Sequence, residues 1–207
     1  DHGESLTEHD IFFDHHGLYD VSIHVPLIVR YPTIFEKPRR IRGFVQHIDV
    51  LPTILDIMHI EGEELACDGR SLLPVITGDI PEIRPFIYSE ESYVQKKRAL
   101  RTERYKYIGA TDGRGYCSYC HTVHSGPEEL YDLEEDPREE VNIITEKPQI
   151  HKELREKLKN VVDRLIQKRE RVMDQQHPHH TDTSDPPDNK RDEEAISRRL
   201  RALGYID

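Results

Sequence analysis

The 207-residue sequence has no tryptophan, only two methionines and only three cysteines. An odd and small number of cysteines excludes the disulfide-stapled class of small scaffolds. No apolar run reaches the roughly 18 residues that a membrane-crossing helix needs, so no helix of this chain is expected to span a bilayer. Basic residues are also short: 29 Lys and Arg stand against 40 Asp and Glu, a formal net charge of -11. A general nucleic-acid binder needs a basic footprint, and this balance argues against one. The length suits one domain of ordinary size or a domain with a tail, enough to bury a core.

What the chain does have is histidine. It carries 13, and five of them (His2, His9, His15, His16 and His24) fall within the first 24 residues. The chain opens on Asp1-His2-Gly3-Glu4. A carboxylate beside an imidazole offers two good ligands for a divalent cation, and the glycine suits a strand end turning into a loop. The opening reads as part of a working loop, so the chain is expected to be a C-terminal fragment of something larger. Residues 9–19 repeat the theme, with three histidines among acids and aromatics and Gly17 as a breaker.

Beyond this loop, the β-branched run Leu27-Ile28-Val29-Arg30-Tyr31 after Pro26 predicts a buried strand. Phe44–Asp49 reads as a short extended segment. Leu51–Ile60 has helical spacing, with Leu51, Ile54, Leu55 and Met58 on one face, Pro52 in the first turn and Asp49 as a candidate cap. Ser71–Thr77 predicts a second short helix stopped by Gly78. After Pro85 the texture changes to short strand candidates around Phe86–Tyr88, Ala99–Arg101, Tyr105–Ile108 and Glu129–Leu133, separated by Gly- and Asp-bearing turns. From Pro148 to about Val172, the apolar residues Ile150, Leu154, Leu158, Val161, Val162 and Leu165 draw one stripe on a long helix. Residues 174–189 are almost without apolar side chains and predict a mobile linker. A final helix is expected within 190–207, over Arg191–Leu203 with Gly204 as its stop.

Several of these segments resemble, in order, the C-terminal half of type I sulfatases within the alkaline phosphatase superfamily. The matching stretches are Asp1-His2-Gly3-Glu4, His15-His16-Gly17-Leu18-Tyr19-Asp20 leading into Val25-Pro26-Leu27-Ile28-Val29, Gln46–Asp56, Asp68–Pro74, Arg101–Ile108, Glu129–Pro137 and Arg199–Tyr205. The resemblance implies an α/β fold, the C-terminal part of an alkaline-phosphatase-like sulfatase. Residues 1–80 would end the large α/β catalytic domain with its mixed sheet. Residues 85–172 would form a C-terminal subdomain, a small antiparallel sheet packed by the long helix.

The same resemblance implies chemistry. Such enzymes hold one divalent metal ion, usually Ca²⁺, beside a formylglycine that attacks the sulfur of a sulfate ester. Asp1 and His2 match the family's late pair of metal ligands. Many sulfatases have Asp-Asn where this chain has Asp-His, as phosphonate monoester hydrolases do, which leaves Mn²⁺ or Zn²⁺ open beside Ca²⁺. His15, four residues before Tyr19, stands where many relatives carry a Lys that contacts the sulfate. Either His15 or its neighbour His16 could bind the anion or protonate the leaving oxygen, and spacing favours His15. None of the three cysteines stands in a Cys-x-Pro-x-Arg motif, so the nucleophile and the remaining metal ligands are expected from an N-terminal half, and this chain alone is expected to be inactive. The implied substrate is a sulfate-ester small molecule or saccharide. Phosphodiesters or phosphonate monoesters are the alternative on the same scaffold, and a sulfatase-like binding module without activity is the third reading.

Two features stand outside the resemblance. Cys117-Ser-Tyr-Cys120-His121 matches a c-type haem attachment motif, but without haem-sized apolar surroundings or a clear axial methionine. A zinc site from Cys117, Cys120 and either His121 or His124, a disulfide, or a pair of reduced thiols remain as its readings. Lys37, Arg39, Arg40 and Arg42 form a basic patch that could hold an anionic substrate or simply solvate a loop.

Overall fold

The computed structural model describes residues 1–35, 37–60 and 67–176. Residues 177–189 of the expected linker and the final helix lie outside the described residues. The chain divides into two compact units, residues 1–168 and 169–207.

Four strands form one antiparallel sheet: β1 (Ile87–Glu91), β2 (Lys97–Arg101), β3 (Tyr105–Ala110) and β6 (Glu128–Asp132), in the spatial order β1-β2-β3-β6. The register sets Ala99 opposite Ile108 and Leu100 opposite Tyr107, with Tyr107 in turn opposite Leu130. Side chains alternate between faces along a strand, so adjacent residues serve two different cores. Ala99, Ile108 and Tyr131 join Ile11, Leu18 and Tyr19 from the N-terminal loop. Leu100, Tyr107 and Leu130 join Leu154 and Leu158 of the helix α4 (Pro148–Gln176), flanked by Ile150, Val161 and Val162. The sheet is therefore covered on one face by residues 11–19 and on the other by α4. A small hairpin, β4 (Tyr116–Cys117) and β5 (Thr122–Val123), is inserted between β3 and β6. α4 runs on through Gln176, so residues 174–176, expected to open the linker, are helical.

The N-terminal 80 residues hold less regular structure. α1 (Asp20–Ile23) is a single turn, α2 spans Val50–Ile57 and α3 spans Leu73–Thr77. The segment Phe44–Asp49, expected to be extended, ends instead in a 3₁₀ turn, His47–Asp49, running straight into α2. The reason is Asp49. Its carboxylate accepts from the backbone N–H of Gln46 at 2.8 Å, closing a capping box with Gln46, and from the backbone N–H of Arg70 at 2.9 Å. The Arg84 guanidinium completes the arrangement at 2.5 and 2.6 Å. Gly69 lets the Arg70 segment come this close, because a Cβ there would sit 1.8 Å from the Ile48 carbonyl oxygen. α3 ends at Gly78 with φ 95°, as the sequence predicts.

The strand expected at Leu27–Tyr31 does not form: residues 24–30 have no regular structure, and Ile28 is 88% exposed. A strand satisfies its backbone only by pairing, and none of the described strands lies beside this run. The apolar face of α2 is open in the same way, with Leu51, Ile54 and Met58 each more than half exposed while Thr53 points inward.

Candidate functional site

The first residues form an exposed corner. Gly3 donates its backbone N–H to the Ser22 carbonyl at 2.8 Å. Only glycine tolerates this approach, since a Cβ on Gly3 would lie 2.0 Å from the Val21 carbonyl oxygen. The contact holds Asp1 and His2 against the segment that follows His15 and His16. The His2 and His15 rings stack with centroids 4.2 Å apart. One ligand atom each from His2, Glu4 and His15 falls within a 4.8 Å cluster, and Glu4 is a member that sequence reasoning did not single out. Asp1 Oδ1 lies 3.8 Å from His2 Nε2. The His2 Nδ1 sits 2.8 Å from the Gly3 carbonyl oxygen, which can only accept, so Nδ1 carries the proton and Nε2 presents its lone pair. A carboxylate oxygen and a free imidazole nitrogen at this separation suit two neighbouring ligands of one divalent ion.

His16 goes elsewhere. Its ring is buried, and Nε2 lies 3.6 Å from Cys117 Sγ and 3.5 Å from Cys120 Sγ. His124, also buried, completes a group of four whose ligand atoms all lie within 4.8 Å of one another. His121 does not join them; it is exposed, with Nδ1 3.4 Å from the Tyr116 hydroxyl. Burial pushes the Cys120 thiol up to about 11, and the neighbouring Cys117 sulfur adds to the shift. Burial likewise moves His124 below the ordinary histidine value.

Beside the cysteine–histidine group lies a buried polar network. Glu129 Oε2 accepts from the hydroxyls of Tyr19 at 2.8 Å and Tyr131 at 2.7 Å. Glu129 Oε1 accepts from Lys97 Nζ at 2.5 Å, and Lys97 also donates to the carbonyls of His124 and Gly126. A second buried lysine, Lys106, lies 2.9 Å from Asp20 Oδ1 and 2.7 Å from Glu139 Oε1. Burial would raise the Asp20 carboxyl, but Lys106 and Arg101 outweigh it and hold Asp20 below the ordinary range. The Lys106–Asp20 pair and the Tyr19–Glu129 hydrogen bond fix the C-terminal end of the histidine loop to the sheet.

The other singled-out residues have plainer places. His9 stacks on Tyr19 with the rings 3.5 Å apart, and burial, aided by Lys106, lowers it to about 4. His24 and His47 are exposed. Arg39, Arg40 and Arg42 line a shallow groove with Gly78 and Ile80, and Arg39 donates to the Ile76 carbonyl.

A family model described as N-sulphoglucosamine sulphohydrolase, C-terminal, matches residues 7–168. The chain belongs to this sulfatase family. Mouse (Mus musculus) arylsulfatase K is 31% identical over 173 residues, which cover 79% of this chain and 29% of that protein. The sulfatase chain thus spans about three-tenths of the length of the curated relatives it matches. The structure of BT4656 in complex with its substrate D-glucosamine-2-N,6-O-disulfate superposes with a TM-score of 0.61 at 26% identity, over 77% of this chain and 32% of that one. Phosphonate monoester hydrolase of Agrobacterium radiobacter shares the fold, with a TM-score of 0.54 at 22% identity over 82% and 34% of the two chains. The fold is accordingly the C-terminal part of the alkaline-phosphatase-like sulfatase architecture, a small antiparallel sheet with a long helix on it. The family implies a divalent metal ion without fixing which one.

Proposed function

We propose that the whole protein hydrolyses sulfate esters of a small molecule or saccharide, and that this chain supplies one side of its metal-dependent site. The stacking of His2 on His15 carries this reading, because it brings the expected metal pair and the expected ester contact to one open corner. In it, Asp1 and His2 hold a divalent ion, Ca²⁺ by family habit, with Mn²⁺ or Zn²⁺ compatible with the imidazole ligand. When bound, the ion neutralises charge building on the sulfuryl oxygens. His15 is 58% exposed at its side chain and free to approach a substrate. Glu4 Oε2 and Asp14 Oδ1 each lie 3.9 Å from its Nδ1, and an imidazole so placed can contact an anion or pass a proton to the leaving oxygen. His16 faces away from this corner, so the acid role goes to His15.

Residues 1–80 would end the large catalytic domain and 85–172 form the C-terminal subdomain. The exposed apolar side chains of Leu27, Ile28, Val29, Leu51, Ile54 and Met58 support this division, since they form surface that a neighbouring part of the larger protein would cover. None of Cys67, Cys117 and Cys120 is in a formylglycine-type motif, so the nucleophile would come from the N-terminal half.

The test is a panel of aryl sulfates, phosphodiesters and phosphonate monoesters on the whole protein, with the His15→Ala variant alongside. Sulfate esters are expected to be turned over best. His15→Ala should lower kcat by about 10²–10⁴-fold, most for esters with poor leaving groups, as loss of a general acid does. Preference for phosphonates, the activity of the Agrobacterium neighbour, would overturn the ester class. An unchanged kcat for His15→Ala on a poor leaving group would overturn the acid.

A further inference from the structure

The histidine loop and the β4–β5 hairpin meet at a second, buried group of metal-binding side chains, and nothing in the sulfatase reading uses it. We propose that Cys117, Cys120, His16 and His124 form a structural zinc site that fastens the loop carrying His15 to the hairpin.

Four observations converge. The first is the donor set. Two thiol sulfurs and two imidazole nitrogens, all within 4.8 Å of one another, make a Cys₂His₂ group, the composition of closed tetrahedral zinc sites. The second is distance. With Zn–S near 2.3 Å and Zn–N near 2.0–2.1 Å, the N···S edge of a tetrahedron is about 3.6 Å. His16 Nε2 stands 3.6 and 3.5 Å from the two sulfurs. The third is an unpartnered nitrogen. His124 Nε2 is buried and has no hydrogen-bond partner, while its Nδ1 lies 2.9 Å from the His9 carbonyl oxygen. That carbonyl can only accept, so the proton is on Nδ1 and the Nε2 lone pair is turned into the cluster, as a metal-ligating histidine requires. A buried nitrogen left so is costly unless something binds it.

The fourth is the way the ligands are held. Cys120 donates its backbone N–H to Cys117 Sγ at 3.2 Å across the hairpin turn, which fixes where that sulfur sits. Asp14 Oδ1 lies 3.0 Å from His16 Nδ1, outside good hydrogen-bond alignment but placed to orient the ring. Lys97 grips the carbonyl of His124 itself. A disulfide is the competing fate of these cysteines, but both are free thiols here, and a disulfide would leave the two facing imidazoles unused.

The site is distinct from the exposed Asp1–His2 corner in both burial and donor type, so it stands or falls independently of the ester that the enzyme cleaves. The experiment uses the full chain produced with added zinc and dialysed against metal-free buffer. One tightly held zinc per chain is expected, with an X-ray absorption shell of two sulfurs and two nitrogens. Exchange for Co²⁺ should give sulfur-to-cobalt charge-transfer absorption and tetrahedral d–d bands. Cys117→Ser, His16→Ala and His124→Ala should each lose these signatures, whereas Cys67→Ser and His121→Ala should keep them. The absorption shell is read on the unaltered protein, so a variant that fails to fold does not decide the matter. An all-nitrogen-and-oxygen shell, no retained zinc, or a Cys117–Cys120 disulfide in freshly purified protein would each overturn the proposal. Loss of zinc in His121→Ala with retention in His16→Ala would overturn the ligand set.

Discussion

Two buried lysines show how single residues organise this molecule. Lys97 is 1% exposed and Glu129 is fully buried, yet all three Lys97 ammonium donors are used and Glu129 accepts three hydrogen bonds. A buried ion pair adds little net stability over an apolar pair, but removing one partner strands the other charge. Lys97→Met should therefore cost about 3–5 kcal/mol in urea unfolding. A cost below 1 kcal/mol would mean that Glu129 finds another partner or a proton. Asp49 makes the corresponding case for pH. Burial alone would raise its carboxyl, but Arg84 and the N–H groups of Arg70 and Gln46 prevail, so its folded-state value lies below the ordinary one. A depressed carboxyl contributes stability that is complete above its unfolded value, about pH 4, and is lost as pH falls through the folded value. The wild-type chain should thus lose stability more steeply below about pH 4 than Asp49→Asn, which should be the weaker of the two at neutral pH. Parallel acid limbs in denaturant midpoints would contradict this.

At the scale of elements, the sheet and α4 were legible because their cause is local. Period-two strands and a 3.6-residue stripe announce themselves, and Leu154 and Leu158 bury the stripe against Leu100 and Leu130. Leu154→Ala should cost about 2–5 kcal/mol, read as a lowered thermal midpoint with α4 still helical by circular dichroism. The exposed Ile166, outside the stripe, gives the contrast: Ile166→Ala should change the midpoint little. What failed to read were features set by distant partners. Leu27–Tyr31 has the composition of a strand, but pairing decides whether one forms. Asp49 looked like a cap on an extended approach, whereas Arg70 and Arg84, 21 and 35 residues away, bend the approach into a 3₁₀ turn. Spacing favoured His15 over His16 but left His16 open; only the fold shows their rings going to different partners, one to His2 and one to two cysteines a hundred residues later. The Cys-x-x-Cys spacing did flag a metal-type group, and the hairpin fold decides that His124 rather than His121 faces it.

At the scale of the whole molecule, the N-terminal third leaves several large apolar side chains open to solvent. Leu27, Ile28, Val29, Leu51, Ile54 and Met58 form two open faces within the first 60 residues, whereas residues 87–132 pack on both sides of their sheet. The isolated chain should bind a hydrophobic dye such as ANS strongly, and the whole protein should not. Charged replacements at Ile28 and Ile54 should reduce dye binding by the isolated chain while destabilising the whole protein. Weak dye binding by the isolated chain would show that these faces close on themselves.

The face of the sheet opposite α4 is lined by Ile11, Leu18 and Tyr19, which precede it by some eighty residues. The segment bearing His15 thus rests on a platform encoded far downstream, and the two stretches are not interchangeable cassettes. A chimaera that joined residues 1–80 of this chain to the later portion of another sulfatase would inherit a platform cut for a different loop. Grafting residues 5–24 together with β2, β3 and β6 would move the support along with what it supports. Recombination within this family is then expected to succeed at crossover points that keep those pieces together, wherever the apparent domain boundary falls.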